Sequence, residues 1–151
     1  MIDQINDYTL EQFVDYWLEH KPLTPSVEGL NFVKDTYGVT LFRQYPFQVE
    51  LFIVKPYSEI VPHVHPDVDS YEVWVSGDID FMRKNKWYYH PHENPKIRVK
   101  HNNIHGAKTN KVGGSFLSIQ KWLNGVQPKF IGDNWLDRKD NTAYGTSKGW
   151  V

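Results

Sequence analysis

The sequence predicts an all-β fold with one amphipathic helix in front of it and an extended arm behind. Three observations carry that expectation. From Val39 onward, short β-prone segments follow one another with turn residues between them. A single stretch, near the N-terminus, repeats its apolar residues at helical spacing. The aromatic share, 15%, is high enough to fill a barrel interior, a ligand cleft or an assembly interface.

The helix is TLEQFVDYWLEHK. Thr9 followed by Gln12 forms a capping-box pattern, and Leu10, Phe13, Val14, Trp17 and Leu18 fall on one stripe. Pro22 and Pro25 close it. Strands are expected at Val39–Arg43, Phe47–Lys55, Glu59–His65, Ser70–Ser76 and Ile79–Arg83. Further strands follow at Lys86–His90, Ile97–Lys100, Ile104–Thr109 and Ser115–Trp122. Tyr45-Pro46, Lys55-Pro56-Tyr57-Ser58, Ser76-Gly77-Asp78, Lys84-Asn85, Asn102-Asn103 and Gly113-Gly114 supply the punctuation. Such spacing favours a sandwich or barrel over alternating strands and helices. After Trp122 no period persists, yet Phe130, Ile131, Trp135, Leu136, Tyr144 and Trp150 recur. A disordered tail carries fewer aromatics, so 124–151 reads as an arm packed on its own barrel or on a neighbour. The 151 residues thus divide into a helix and lead-in (1–38), a barrel (39–123) and the arm, within one domain.

Composition excludes several classes. The net charge of −1 gives no global pull toward nucleic acid or anionic lipid. With no cysteine, thiol catalysis, zinc fingers and iron–sulfur clusters are out. The acidic, polar N-terminus is unlike a secretory signal, and a run such as Leu51–Val54 is too short to span a bilayer. A cytoplasmic protein is the expectation. Neither a Gly-rich phosphate loop nor a Gly-x-Ser-x-Gly elbow is present.

The chemistry concentrates in PHVHPDVDSYEVWVSGD. Alternation along a strand puts His63 and His65 on one face with Glu59 and Val61, and Ile60 and Val64 on the other. The next strand puts Glu72, Trp74 and Ser76 on one face, and antiparallel pairing can bring Glu72 beside the two imidazoles.

HVHPDVDSYEVWVSG resembles the first motif of the cupin superfamily, His-x-His, then Glu, then Gly, through His63, His65, Glu72 and Gly77. KHNNIHGAKTN is similar to the second motif, with His105 as its histidine. Six residues separate His65 from Glu72, more than the family's usual spacing. Lys100, Asn102 and Thr109 stand where the second motif carries Pro, Gly and Asn, and Asn102 tolerates the left-handed backbone that turn needs. More faintly, FLSIQKWLNGV is similar to small cupin-like proteins encoded by bacteriophages.

The resemblance implies a double-stranded β-helix, a jelly-roll barrel, over roughly Val39 to Trp122. It implies one divalent transition metal (Fe, Mn, Zn or Ni) on His63, His65, Glu72 and His105, a donor set that suits such ions. It also implies binding of a small polar molecule, or its oxygenation, isomerisation or hydrolysis. Gln120, in phase with Phe116, Ser118 and Trp122, is a candidate to orient a ligand or metal-bound water. The competing expectation is a non-catalytic assembly cupin, for example in a virion. It would form homo-oligomers or larger assemblies through the aromatic arm. His90-Pro91-His92, His20 and His101 are weaker site candidates: a loop, a helix end and a solvated strand position.

Overall fold

The N-terminal helix α1 (Leu10–His20) begins where the capping residues place it. The Thr9 amide donates to Gln12 Oε1 (2.8 Å) and the Gln12 amide donates to Thr9 Oγ1 (3.1 Å), so two orphan donors are satisfied reciprocally. Leu10, Phe13, Val14 and Trp17 form the buried stripe. This computed structural model describes residues 4–20, 36–65, 67–83, 86–89, 96–123 and 131–132. The prolines after the helix, the 90–92 histidines and the arm apart from Ile131–Gly132 lie outside the described residues.

Among the described residues, eight strands follow: β1 (Thr36–Gln44), β2 (Phe47–Val54), β3 (Glu59–Val64), β4 (Val68–Arg83), β5 (Lys86–Tyr89), β6 (Lys96–Val99), β7 (His105–Trp122) and β8 (Ile131–Gly132). All pairings are antiparallel. Two strands are longer than expected. Ser70–Ser76 and Ile79–Arg83 are one strand, β4, and Ile104–Thr109 and Ser115–Trp122 are one strand, β7. The glycines between them act as corners rather than turns. Register shifts at Trp74/Ser76 and Gly77/Ile79 bend the pair where Gly77 (φ 83°) faces Gly113 (φ 69°) and Gly114. A Cβ on Gly77 would overlap the Gly113 carbonyl oxygen, so only glycine fits this crossing.

Each long strand therefore serves two halves of the barrel. Beyond the corner, β7 pairs with β2 and with the first part of β4, which in turn holds β6; β1 closes that edge against β2. Before the corner, β7 pairs with β3 and with the last part of β4, which holds β5. The halves face one another across a core of Phe52, Val54, Ile60, Ile79, Phe81, Ile97, Val99, Ala107 and Phe116. Phe116 stacks on Phe52 (5.3 Å between centroids) and meets Phe81 edge-on (5.2 Å).

A second core lies outside the barrel. Helix α1 covers the outer face of β2, β4 and β7, burying Val49, Leu51, Val73, Leu117 and Ile119 under Leu10, Phe13, Val14 and Trp17. Phe13, fully buried, stacks on Phe47 at 4.3 Å. This cover forces the other side chains of β2, Gln48 and Glu50, into the barrel, where both are fully buried.

Candidate metal centre

The histidines of β3 reach the interior by way of a bulge. Register runs Glu59↔Lys108, Ile60↔Ala107, then His63↔His105, so β3 carries one extra residue at Val61-Pro62. Pro62 has no N–H for the ladder, which makes this the natural place for pairing to slip. Strict alternation put Glu59 with the histidines and Ile60 opposite. The bulge reverses that: Ile60 is buried beside the histidines and Glu59 is exposed. Gly106 lies against the bulge, and a Cβ there would come within 2.8 Å of the Ile60 carbonyl oxygen.

His63, His65 and His105 converge. One potential ligand atom of each lies within 4.8 Å of the others, and all three residues are buried. Ring centroids are 4.4 Å apart for His63 and His105, 4.9 Å for His63 and His65, and 5.0 Å for His65 and His105. Backbone carbonyls orient two of the rings. His63 Nδ1 donates to the Val61 carbonyl (2.7 Å) and His105 Nδ1 donates to the Asn103 carbonyl (2.9 Å). A carbonyl only accepts, so each ring is protonated at Nδ1 and keeps the Nε2 lone pair for a ligand. The Asn102 amide donates to the His65 carbonyl (2.7 Å), tying the second-motif turn to the first-motif strand. Asn102 adopts φ 65°, the left-handed backbone that this position demands.

Burial keeps the His63 and His105 imidazoles neutral. Desolvation, with His105 alongside, holds His63 well below the usual histidine range, and desolvation lowers His105 to about 4. Neutral imidazole is the form that binds a transition metal.

Glu72 faces the same cavity from β4 but stands outside the three-histidine group. Its Oε2 is buried without a hydrogen-bond partner, and desolvation pushes its carboxyl up to about 8 against the opposing hydrogen bond from Ser118. The cavity offers about 30 Å³ to the centre of a water molecule, enough for roughly two or three waters. Gln120 does not line it. Its amide donates to Glu50 Oε1 (3.2 Å) and Ser118 Oγ (3.1 Å), while Gln48 donates to Gln120 Oε1 (3.2 Å) and to Glu50 Oε1 (3.1 Å). Gln120 thus reaches Glu72 through the Ser118 hydroxyl.

Alternation alone did not single out Gln48, Glu50 and Ser70 as interior groups. The signal was present in FQVELFIV, whose polar positions share one face, but that face reads as solvated until the helix is placed on the other. Glu50 is pushed well above the usual carboxylate range, first by desolvation and further by Glu72, against the Gln120 hydrogen bond, the Arg43 guanidinium and the Gln48 hydrogen bond. The weaker histidine candidates serve elsewhere: His20 Nδ1 donates to the Tyr16 carbonyl (2.8 Å), and His101 pairs with Asp69 (2.8 Å).

No protein-family model matches the chain, and no curated protein does. Solved structures do. A double-stranded β-helix protein from Klebsiella pneumoniae aligns with TM-score 0.57 at 15% identity, covering 87% of this chain and 100% of that one. An RmlC-like cupin from Desulfovibrio desulfuricans aligns at 0.55 and 15% identity over 66% of this chain and 94% of that one. KdgF from a Halomonas species aligns at 0.53 and 13% identity over 68% and 87%. At such identities the likeness is one of fold, the double-stranded β-helix named for the Klebsiella protein. Among the described residues, no helix is long and apolar enough to cross a membrane.

Proposed function

We propose that this protein is a metal-binding cupin whose His63, His65 and His105 hold one divalent transition metal, with Glu72 as the carboxylate of the same site. The observation that carries the reading is the convergence of three buried imidazoles, two of them locked through Nδ1 so that Nε2 serves the ion. The residues fit such an ion. Nitrogen donors of this type suit Fe, Mn, Zn or Ni, and the Glu72 carboxylate, facing them from β4, adds a compensating charge. When bound, the metal supplies Lewis acidity at positions that the protein leaves open. The chain's own contribution is positional. Asn103 and Val61 fix the rings, and Ser118 holds the Glu72 carboxyl where Oε2 can give or take a proton from a small polar molecule.

Elemental analysis of untagged protein tests this directly. About one equivalent of transition metal per chain is expected, and His63→Ala with His65→Ala should remove it while the far-ultraviolet circular dichroism persists. Protein that stays metal-free through a metal titration would sink the reading.

A second reading is an assembly role, including a virion component. Strand β5 is an edge that pairs only with β4 among the described residues, and it exposes Tyr88 and Tyr89. Deleting the residues after Trp122 should change the assembly state in sedimentation if the arm completes such an interface. An unchanged state counts against it.

A further inference from the structure

We propose that the cavity takes a compact, uncharged molecule bearing hydroxyl groups on a short apolar body, such as a vicinal diol, and not a carboxylate or phosphate. This rests on the metal reading for one end of the ligand and on the facing wall for the other. The histidines come from β3 and the first part of β7; the facing wall comes from β4 and the last part of β7, through Ser70, Glu72 and Ser118. Among the described residues, every polar group on that wall is a hydroxyl or a carboxyl, and no lysine or arginine lines the cavity.

Away from the metal, that lining sets the charge of the ligand. An anion would sit in a poorly solvated space beside Glu72, where the described lining holds no guanidinium or ammonium; Arg43, the cation that acts on Glu50, stands outside that lining. A cation would face the bound metal. A hydroxyl answers the wall in either protonation state, because it donates to a carboxylate and accepts from a carboxylic acid. It would also satisfy Glu72 Oε2, which has no hydrogen-bond partner within the protein. The remaining lining, including Phe52, Ile60, Phe81, Val99 and Phe116, suits a hydrocarbon body, and the small volume limits its length.

The test uses the full chain loaded with Co²⁺, whose visible bands report ligands near the metal. Propylene glycol, acetate and inorganic phosphate are titrated separately. The glycol should change the bands saturably and bind about tenfold or more tightly than either anion, the scale of one charge-assisted hydrogen bond. Glu72→Leu and Ser118→Ala should each weaken the glycol by about tenfold. Glu72→Gln, which keeps the shape and removes the charge, should raise the affinity for acetate. Tighter binding of acetate or phosphate than of the glycol by the unaltered chain overturns the proposal, as does glycol binding indifferent to Glu72→Leu. If the chain takes up no Co²⁺, the metal reading has failed on its own. Ligand-observed NMR on the metal-free protein then decides: saturable glycol binding lost in Glu72→Leu upholds the inference, and its absence overturns it.

Discussion

The two halves of the barrel use the same strands under different constraints. In the half built on β1, β2 and β6, both faces are covered: helix α1 lies on one and the cavity on the other. In the half built on β3 and β5, only the inner face is packed among the described residues. Its outer side carries half-buried Lys108, whose ammonium sits 4.5 Å over the Trp87 ring, and exposed Glu59. The doubly covered half hides Gln48, Glu50 and Gln120 as completely as Val49 and Ile119. Burial there is no guide to polarity. The lesson is that an amphipathic strand puts its apolar face wherever the larger apolar partner is, and here that partner is the helix outside the barrel.

The largest expected effect breaks the outer cover. Phe13→Ala removes a ring stacked on Phe47, and truncation of a buried aromatic costs about 3–5 kcal/mol in urea unfolding. A loss below about 1 kcal/mol would mean that the helix does not seal that face.

The buried acids and imidazoles give the next effect in the metal-free protein, and their signs oppose. Glu72, at about 8 in the fold against 4.5 when exposed, prefers the neutral form when folded. Stability from this group is full below about pH 4.5 and is lost as pH rises toward 8. His105, lowered to about 4 from 6.5, imposes no penalty above pH 6.5 and destabilises the fold as pH falls toward 4. Unfolding midpoints measured across this range should fall on both sides, and Glu72→Gln should flatten the alkaline side by on the order of a few kcal/mol. An unchanged alkaline limb would show that Glu72 is solvated. Saturating Zn²⁺ should raise stability most as pH rises toward 8, where Glu72 ionises and its charge favours the ion.

Gly77→Ala probes the corner that joins the halves. The left-handed backbone alone costs about 1–2 kcal/mol, and the clash with the Gly113 carbonyl adds to it. A lowered thermal midpoint with an unaltered metal stoichiometry would place the corner in folding rather than in the site.

The smallest effect belongs to polar ties over the helix. Arg98 reaches Glu11 (3.1 Å) and Asp69 (3.3 Å) near the surface. Arg98→Ala should cost about 0–1 kcal/mol and less in high salt. A larger, salt-insensitive loss would mean that charge, rather than the Phe13 cluster, docks the helix.

Much of this was legible in the residues. Thr9 and Gln12 set the helix start, because a cap is a local hydrogen-bond exchange. His63, His65 and His105 were legible through their motifs, and Asn102 through the backbone its position requires. What stayed hidden depends on partners distant in sequence. The bulge at Val61-Pro62 moved Ile60 inside and Glu59 out, and alternation cannot foresee a residue that drops out of register. Ser76-Gly77-Asp78 reads as a turn, yet opposite Gly113 and Gly114 it becomes a corner within one strand.

By itself, then, the sequence determined the number of apolar faces, the helix and its cap, and the three histidines that meet. The first two follow from spacing and from local hydrogen bonding, the third from the resemblance that its motifs carry. Only the tertiary structure decided that the polar face of β2 points inward and that Glu72 stands across the cavity from the imidazole group. It also turned Gln120 toward Glu50 and Ser118 rather than into the cavity. The physical reason is that a strand has two faces and no intrinsic inside; what packs against each face chooses.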